Sequence, residues 1–323
     1  MTSIQATSLP KVHLSLESQI ALLKKRGMIF SDEEKARTAL NKINYYRLSG
    51  YWYPFRKTNP VGTPGRQDDF RDNTSFELIL SLYDFDRNLR LLTLAATERI
   101  EVALRSEIAF YLGKRNIYAH ECPSELDGKF TKDINPYTNN TYYYDWCQKL
   151  NKSISRSYEE FVDHHLRKYA GKMPIWVVTE LWDFGQLSKF YEGMKYKDRQ
   201  NVVAKYCTSL DVSTFVSWLK SSTYIRNVCA HHSRLWNKNM TVIPSIQANT
   251  QFNFLTHIAN DNHAKTRVYG TLCILRLLMK WIALDDDWHQ KLKELTTSFP
   301  DNDVVSLADA GFPNGWETRN LWK

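Results

Sequence analysis

Cysteine pairing and long apolar runs are missing from this sequence, and glycine and proline are scarce. Its five cysteines, at 122, 147, 207, 229 and 273, are odd in number and contain no C-x-x-C pair. That argues against a disulfide framework and against a zinc ribbon. No run of about 18 apolar residues occurs, so no segment is expected to span a membrane. Glycine and proline number only 12 and 10 in 323 residues, too few for a disordered chain or a turn-dense β-sandwich. The opening "MTSIQATSLPKVHLSLES" has no basic stretch followed by an apolar one. No signal peptide is therefore expected, and the expected compartment is a reducing cytoplasm.

Core-forming residues are abundant. Hydrophobic residues make up 43% of the chain and aromatics 13%. The net charge of +8 is unevenly spread. Residues 1–74 hold 12 Lys and Arg against 7 Asp and Glu, and residues 145–240 hold 15 against 9. The segments between and after them are slightly acidic. A localised basic excess fits attraction to phosphates better than a uniform one, although a solvated basic surface has the same composition.

The hydrophobic period is helical throughout, so the expected class is all-α. Ser15 to Lys25 reads as a capped helix. Ser31 to Leu48 reads as another, with Ser31 and Glu34 forming an S-x-x-E box. Residues 58–75, with two prolines and two glycines, read as a linker. Ser75 to Leu112 is one long helical pattern, with Leu78, Leu82, Phe85, Leu89, Leu92, Ala96, Ile100 and Ala103 recurring at three and four. A basic helix is expected from about Asp145 to Tyr169, and another opens at Pro174. Asp211 to Leu235 is the next, and Val268 to Leu284 the last strongly apolar one. The tail from 285 carries Trp316 and Trp322, which suggests that it packs down. This divides the chain into a basic, aromatic-rich region 1–74, a helical domain 75–284 and a tail 285–323.

One stretch carries chemistry. "YIRNVCAHHSRLWN" places Arg226, Asn227, His231 and His232 within seven residues. Asn227 and His231 share a helix face, whereas Arg226 and His231 lie about 140° apart around the axis. One straight helix cannot bring that arginine and that histidine together, but two such helices meeting across a two-fold axis can. The groups suit RNA cleavage by the 2′-hydroxyl. A histidine moves the protons and an arginine clamps the phosphorane, with no metal and no cofactor. Asn227 is placed to hold the His231 ring. Cys229, His231 and His232 lack a fourth zinc ligand at the usual spacing.

These residues, with "INYYRLSGYWYPF", "YDFDRNLR", "ERIEVALRS" and "PIWVVTELWDFGQLSKFY" in that order, resemble the Abi family of abortive-infection proteins, AbiD/AbiF type. The core of that family is a HEPN ribonuclease domain. The likeness covers about residues 15–284, and Arg226, Asn227 and His231 match its R-x4-6-H signature as R-N-x3-H. The resemblance implies an all-α HEPN-type bundle with a small helical N-terminal extension. It also implies a homodimer with a composite metal-independent site, and a toxin activity in phage defence. A structured non-coding RNA is implied as a partner. The family's helper on its first helix falls among Glu98, Glu101 and Arg105, two of which also form an ordinary i, i+4 pair. The alternative is a non-cleaving RNA-binding defence protein that forms a stable complex with its own non-coding RNA.

Further candidate RNA contacts are Tyr46, Arg47, Trp52 and Arg56 in the aromatic block, which also suits core packing. Lys24 and Lys25, and Lys152, Arg156, Arg167 and Lys168, complete the set. If the basic segments contact phosphates, RNA affinity falls steeply with added salt. A filter-binding titration at several salt concentrations checks this, and a flat response would remove the charge argument.

Overall fold

The computed structural model describes residues 12–246, 254–282 and 287–323. The expected leader reading lies mostly outside these residues, as do positions 283 and 284 of the last apolar helix. The class is all-α: fifteen α-helices and one two-stranded sheet occur among the described residues. The chain divides into two compact units, one of residues 1–87 with 298–306, the other of 88–297 with 307–323.

In the first unit, α1 (Leu16–Lys25) starts at Ser15, whose hydroxyl accepts from the Ser18 amide. Helix α2 (Glu33–Ile43) is capped by Asp32 rather than by Ser31. The Ser31 and Asp32 amides donate instead to Glu77, at 3.1 Å each. The expected continuous helix to Leu48 breaks at Asn44, which takes φ 84°. With ψ 138° Asn44 lies outside the left-handed helical well, and its side chain then caps α3 (Tyr45–Trp52) by accepting from the Tyr46 amide at 2.8 Å.

The segment read as a linker is partly ordered as an antiparallel hairpin, β1 (Arg56–Thr58) with β2 (Arg66–Phe70). Its proline- and glycine-rich middle forms the turn, which is why composition alone suggested a linker. Tyr51, Trp52, Phe55 and Phe70 are buried in this unit. The Tyr51 hydroxyl donates to Asp86 at 2.7 Å.

Helix α4 (Phe76–Gly113) is 38 residues long. It contains no proline and no glycine before its last residue, so nothing interrupts its hydrogen-bond ladder. Ile79, Leu82, Phe85, Leu89, Ala96, Ile100, Leu104, Ile108 and Leu112 are buried along it at helical spacing.

From residue 88 the chain belongs to the second unit. The expected basic helix is two helices, α6 (Tyr142–Arg156) and α7 (Glu160–Lys168), after the short α5 (Gly128–Lys132). The segment after Pro174 also breaks, into α8 (Ile175–Val178) and α9 (Phe184–Gly193). Then come α10 (Tyr196–Tyr206) and α11 (Val212–Ala230), and α9, α10 and α14 (Val268–Ile282) pack on α11. Helices α12 (Thr256–Ala259) and α13 (Asn262–Thr266) precede α14, and α15 (Trp288–Thr297) follows it. Helix α14 is buried from Val268 to Met279.

The tail packs down as its tryptophans suggested. Trp316 and Trp322 are buried, and the Trp322 indole donates to the Tyr269 hydroxyl at 3.0 Å. The Arg276 Nε donates to the Leu321 carbonyl at 3.2 Å. No helix among the described residues is long and apolar enough to cross a membrane.

His120 is 2% exposed, its Nδ1 has no hydrogen-bond partner, and its Nε2 lies 3.6 Å from Glu121. Burial pushes its pKa down from 6.5 to about 4, against the pull of Glu121 and with that of Lys172. The unfolded chain therefore takes up this proton first as pH falls. The contribution is intact above pH 6.5 and is lost between 6.5 and about 4, on the order of 3 kcal/mol in all. Urea unfolding at pH 7 and pH 5 should show a loss of about 2 kcal/mol that shrinks in His120→Asn. An unchanged pH dependence in that variant would assign the loss to other groups.

Candidate active site

Helix α11 carries the motif, and its two ends are fixed differently. Asp211 caps the start by accepting from the Thr214 amide at 2.9 Å. Phe215, Trp218, Leu219, Ile225 and Cys229 are buried. Arg226 is therefore half-buried and Asn227 exposed.

The helix ends at Ala230, five residues before the expected Leu235. His231 is its C-cap, and His232 follows with φ 55°. The His232 amide donates to the Cys229 carbonyl at 2.9 Å, and the Ser233 amide to the Val228 carbonyl at 3.0 Å. This is a Schellman turn with histidine at the left-handed position that glycine usually takes. Leu235 and Trp236, both fully buried, anchor the chain just beyond it. Both histidine side chains are exposed.

Asn227 does not hold the His231 ring. Its Oδ1 accepts from Arg226 Nη1 at 3.2 Å, and its link to His231 is the backbone bond of the last helical turn, 3.0 Å. The His231 ring has no hydrogen bond among the described residues.

Of the three candidate helpers on α4, Glu101 pairs with Arg105 and stands in the field of Arg226, whereas Glu98 is exposed. Glu101 is 8% exposed. Arg105 Nη2 donates to Glu101 Oε1 at 2.5 Å and to the Trp182 carbonyl at 2.6 Å, and Arg105 Nη1 lies 3.4 Å from Glu180. Burial holds the Glu101 carboxyl above the ordinary carboxylate range. Arg105 and Arg226 pull it down, and Asp183 pushes it further up. Glu101 thus stands in the fields of two guanidinium groups from two helices.

Glu180, Trp182 and Asp183 were not among the sequence candidates. They lie where the chain breaks between α8 and α9. Asp183 caps α9, accepting from the Gln186 amide at 2.7 Å, and Gln186 Oε1 accepts from the Asp183 amide at 3.5 Å. This D-x-x-Q box in "WDFGQLSKF" was the available signal. Side chains of α11 tie it to α9: Lys220 pairs with Glu192 at 2.7 Å, and Thr223 donates to the Phe184 carbonyl at 3.5 Å.

The other candidate RNA contacts have varied surroundings. Trp52 is fully buried, edge-on to Tyr45 and Phe70, and is not presented for stacking on a base. Tyr46 is 84% exposed. Arg47 lies over the Tyr83 ring at 5.9 Å, and Arg56 pairs with Asp68 at 3.1 Å. Lys24 pairs with Glu33, and Lys25 is exposed. Lys152 and Arg156 are exposed on α6, while on α7 Arg167 pairs with Asp163 at 2.9 Å and Lys168 lies by Tyr169. Among the described residues no group of three or more His, Cys, Asp or Glu is placed to hold a metal ion.

The left-handed His232 costs about 1 kcal/mol relative to glycine. His232→Gly should therefore raise the unfolding free energy by that amount and move the urea midpoint up, and His232→Val should move it down. Equal midpoints for all three proteins would contradict this account of the turn.

The Abi-like protein family model matches residues 38–237 of the chain. No curated protein and no solved structure matches it.

Proposed function

We propose a function from one premise: the chain belongs to the Abi-like protein family. Membership supports a place in abortive-infection phage defence in general. Within it we read this protein as an AbiD/AbiF-type HEPN endoribonuclease, a cytoplasmic toxin that cleaves RNA without a metal or cofactor. The observation that carries this reading is the grouping of Arg226 with buried Glu101 and Arg105, one helical turn before an exposed histidine pair.

In this reading the 2′-oxygen attacks the adjacent phosphorus and the 5′-oxygen leaves. The products are a 2′,3′-cyclic phosphate and a 5′-hydroxyl. One group takes the 2′ proton and another gives a proton to the leaving oxygen; histidine suits both tasks. Arg226 binds the non-bridging oxygens, where charge accumulates in the phosphorane. Glu101 and Asn227 are positioning residues. The first fixes the guanidinium by charge and the second by its amide oxygen.

His231 continues α11 by a single residue, so it leaves the helix axis about 140° from Arg226. A site that uses both draws Arg226 from one copy and His231 from another, which makes a homodimer part of the mechanism. A structured non-coding RNA is the proposed restraining partner.

The double variant Arg226→Ala with His231→Ala should keep RNA affinity and lose cleavage and toxicity. Each single change should cost at least about a hundredfold in cleavage rate. Phage protection that survives the double change would instead favour a non-cleaving RNA-binding defence protein. Sedimentation with and without RNA checks the composite site; a monomer in both would remove it.

A further inference from the structure

A cleft of about 500 Å³ opens in the second unit among α5, α6 and α9. Phe130 and Trp146 supply apolar lining and are nearly fully buried, while Tyr142 is exposed at its edge. This volume falls in the range of small-ligand sites and suits a single nucleotide.

Its charges show what it can still bind. Four cations (Lys129, Lys149, Lys189, Arg199) and four carboxylates (Asp127, Asp133, Asp145, Glu192) line it. The balance is neutral, which disfavours a polyphosphate. Three of the carboxylates are already committed. Asp145 accepts from Asn135, Thr138 and Asn140. Asp127 caps α5 and lies 3.5 Å from Arg199. Glu192 pairs with Lys220 and Lys189. Among the described residues Lys129 and the Asp133 carboxylate have no such partner, and Lys149 stands in the field of the Asp145 carboxylate one turn before it on α6.

Gln186 adds an independent sign of a ligand. It lines the cleft and is 5% exposed. Its Oε1 accepts from the Asp183 amide, which fixes Nε2 as a donor, and that donor is buried with no hydrogen-bond partner. Such a group costs about 1–3 kcal/mol unless something accepts from it. Thr223, three residues before Arg226 on α11, donates to the Phe184 carbonyl at 3.5 Å. The N-terminus of α9 therefore touches both the cleft and the helix that carries Arg226.

We infer that this cleft receives one unpaired nucleotide of the RNA strand cut at the α11 motif, an assignment that rests on the ribonuclease reading. The base lies against Phe130 and Trp146, with Gln186 Nε2 donating to an acceptor on its edge and Asp133 accepting from an exocyclic amine. Lys149 meets the adjoining phosphate. The cleft then sets base preference next to the cleaved bond.

The test uses the full chain carrying Arg226→Ala and His231→Ala, so that RNA is bound and not cut. Its affinity is measured for the four 5′-ribonucleoside monophosphates and for hexaribonucleotides of each base. One base should be preferred, and its hexamer should bind more tightly than its monophosphate. Gln186→Leu should weaken that hexamer about tenfold. The surface change Lys149→Glu, which leaves the core intact, should weaken all hexamers. Hexamer affinities unchanged by both variants would overturn the assignment. A monophosphate bound as tightly as its hexamer would also overturn it, in favour of a free nucleotide. Cleavage by the unsubstituted protein is read separately. Base-dependent binding without any cleavage would sink the ribonuclease reading and leave the nucleotide cleft in place.

Discussion

A carboxylate buried on a helix must be answered by a cation, and the centre of the second unit is arranged around that requirement. Glu101 is answered by Arg105 one turn along α4, and Arg105 in turn needs more acceptors than Glu101 offers. It finds the Trp182 carbonyl, which is available only because the chain leaves helical geometry between α8 and α9. The same break frees Asp183 to cap α9, and α9 packs on α11, which carries Arg226. Removing one member of a buried pair typically costs 3–5 kcal/mol, because the remaining charge is stranded. Pairing of Glu101 therefore couples local stability to the placement of the motif.

Helical class, the long α4 and the motif itself could all be read from the sequence, because each rests on a local periodicity or spacing. Breaks inside apparently continuous helices were harder to see. Asn44 interrupts one helix by a positive φ, and residues 157–159 separate α6 from α7 without a proline. The end of α11 was misplaced because its stop signal is not a glycine. Histidine at the left-handed position gives no composition cue, and the buried Leu235 and Trp236 imitate further helical periodicity.

Side-chain contacts divided along similar lines. The Glu101–Arg105 pair was legible because the two sit one turn apart on a periodic helix. Glu180 and Asp183 were not, because they reach α4 only through tertiary folding. Trp52 shows the opposite error. A tryptophan among tyrosines and arginines suits stacking on bases, but burial against Phe70 decides its role. Arg56, close in sequence, is held by Asp68, so charge count overstated what this block offers to phosphate.

The turn after α11 also limits which sequences can occupy it. Only glycine, asparagine, aspartate and, less readily, histidine visit the left-handed region at modest cost, whereas β-branched residues are nearly barred. Position 232 therefore accepts a narrow alphabet for backbone reasons alone, before any chemistry is asked of it. Histidine is the one member of that alphabet with a ring whose two nitrogens can donate and accept at once, so every other residue the backbone admits at 232 removes that pair of groups.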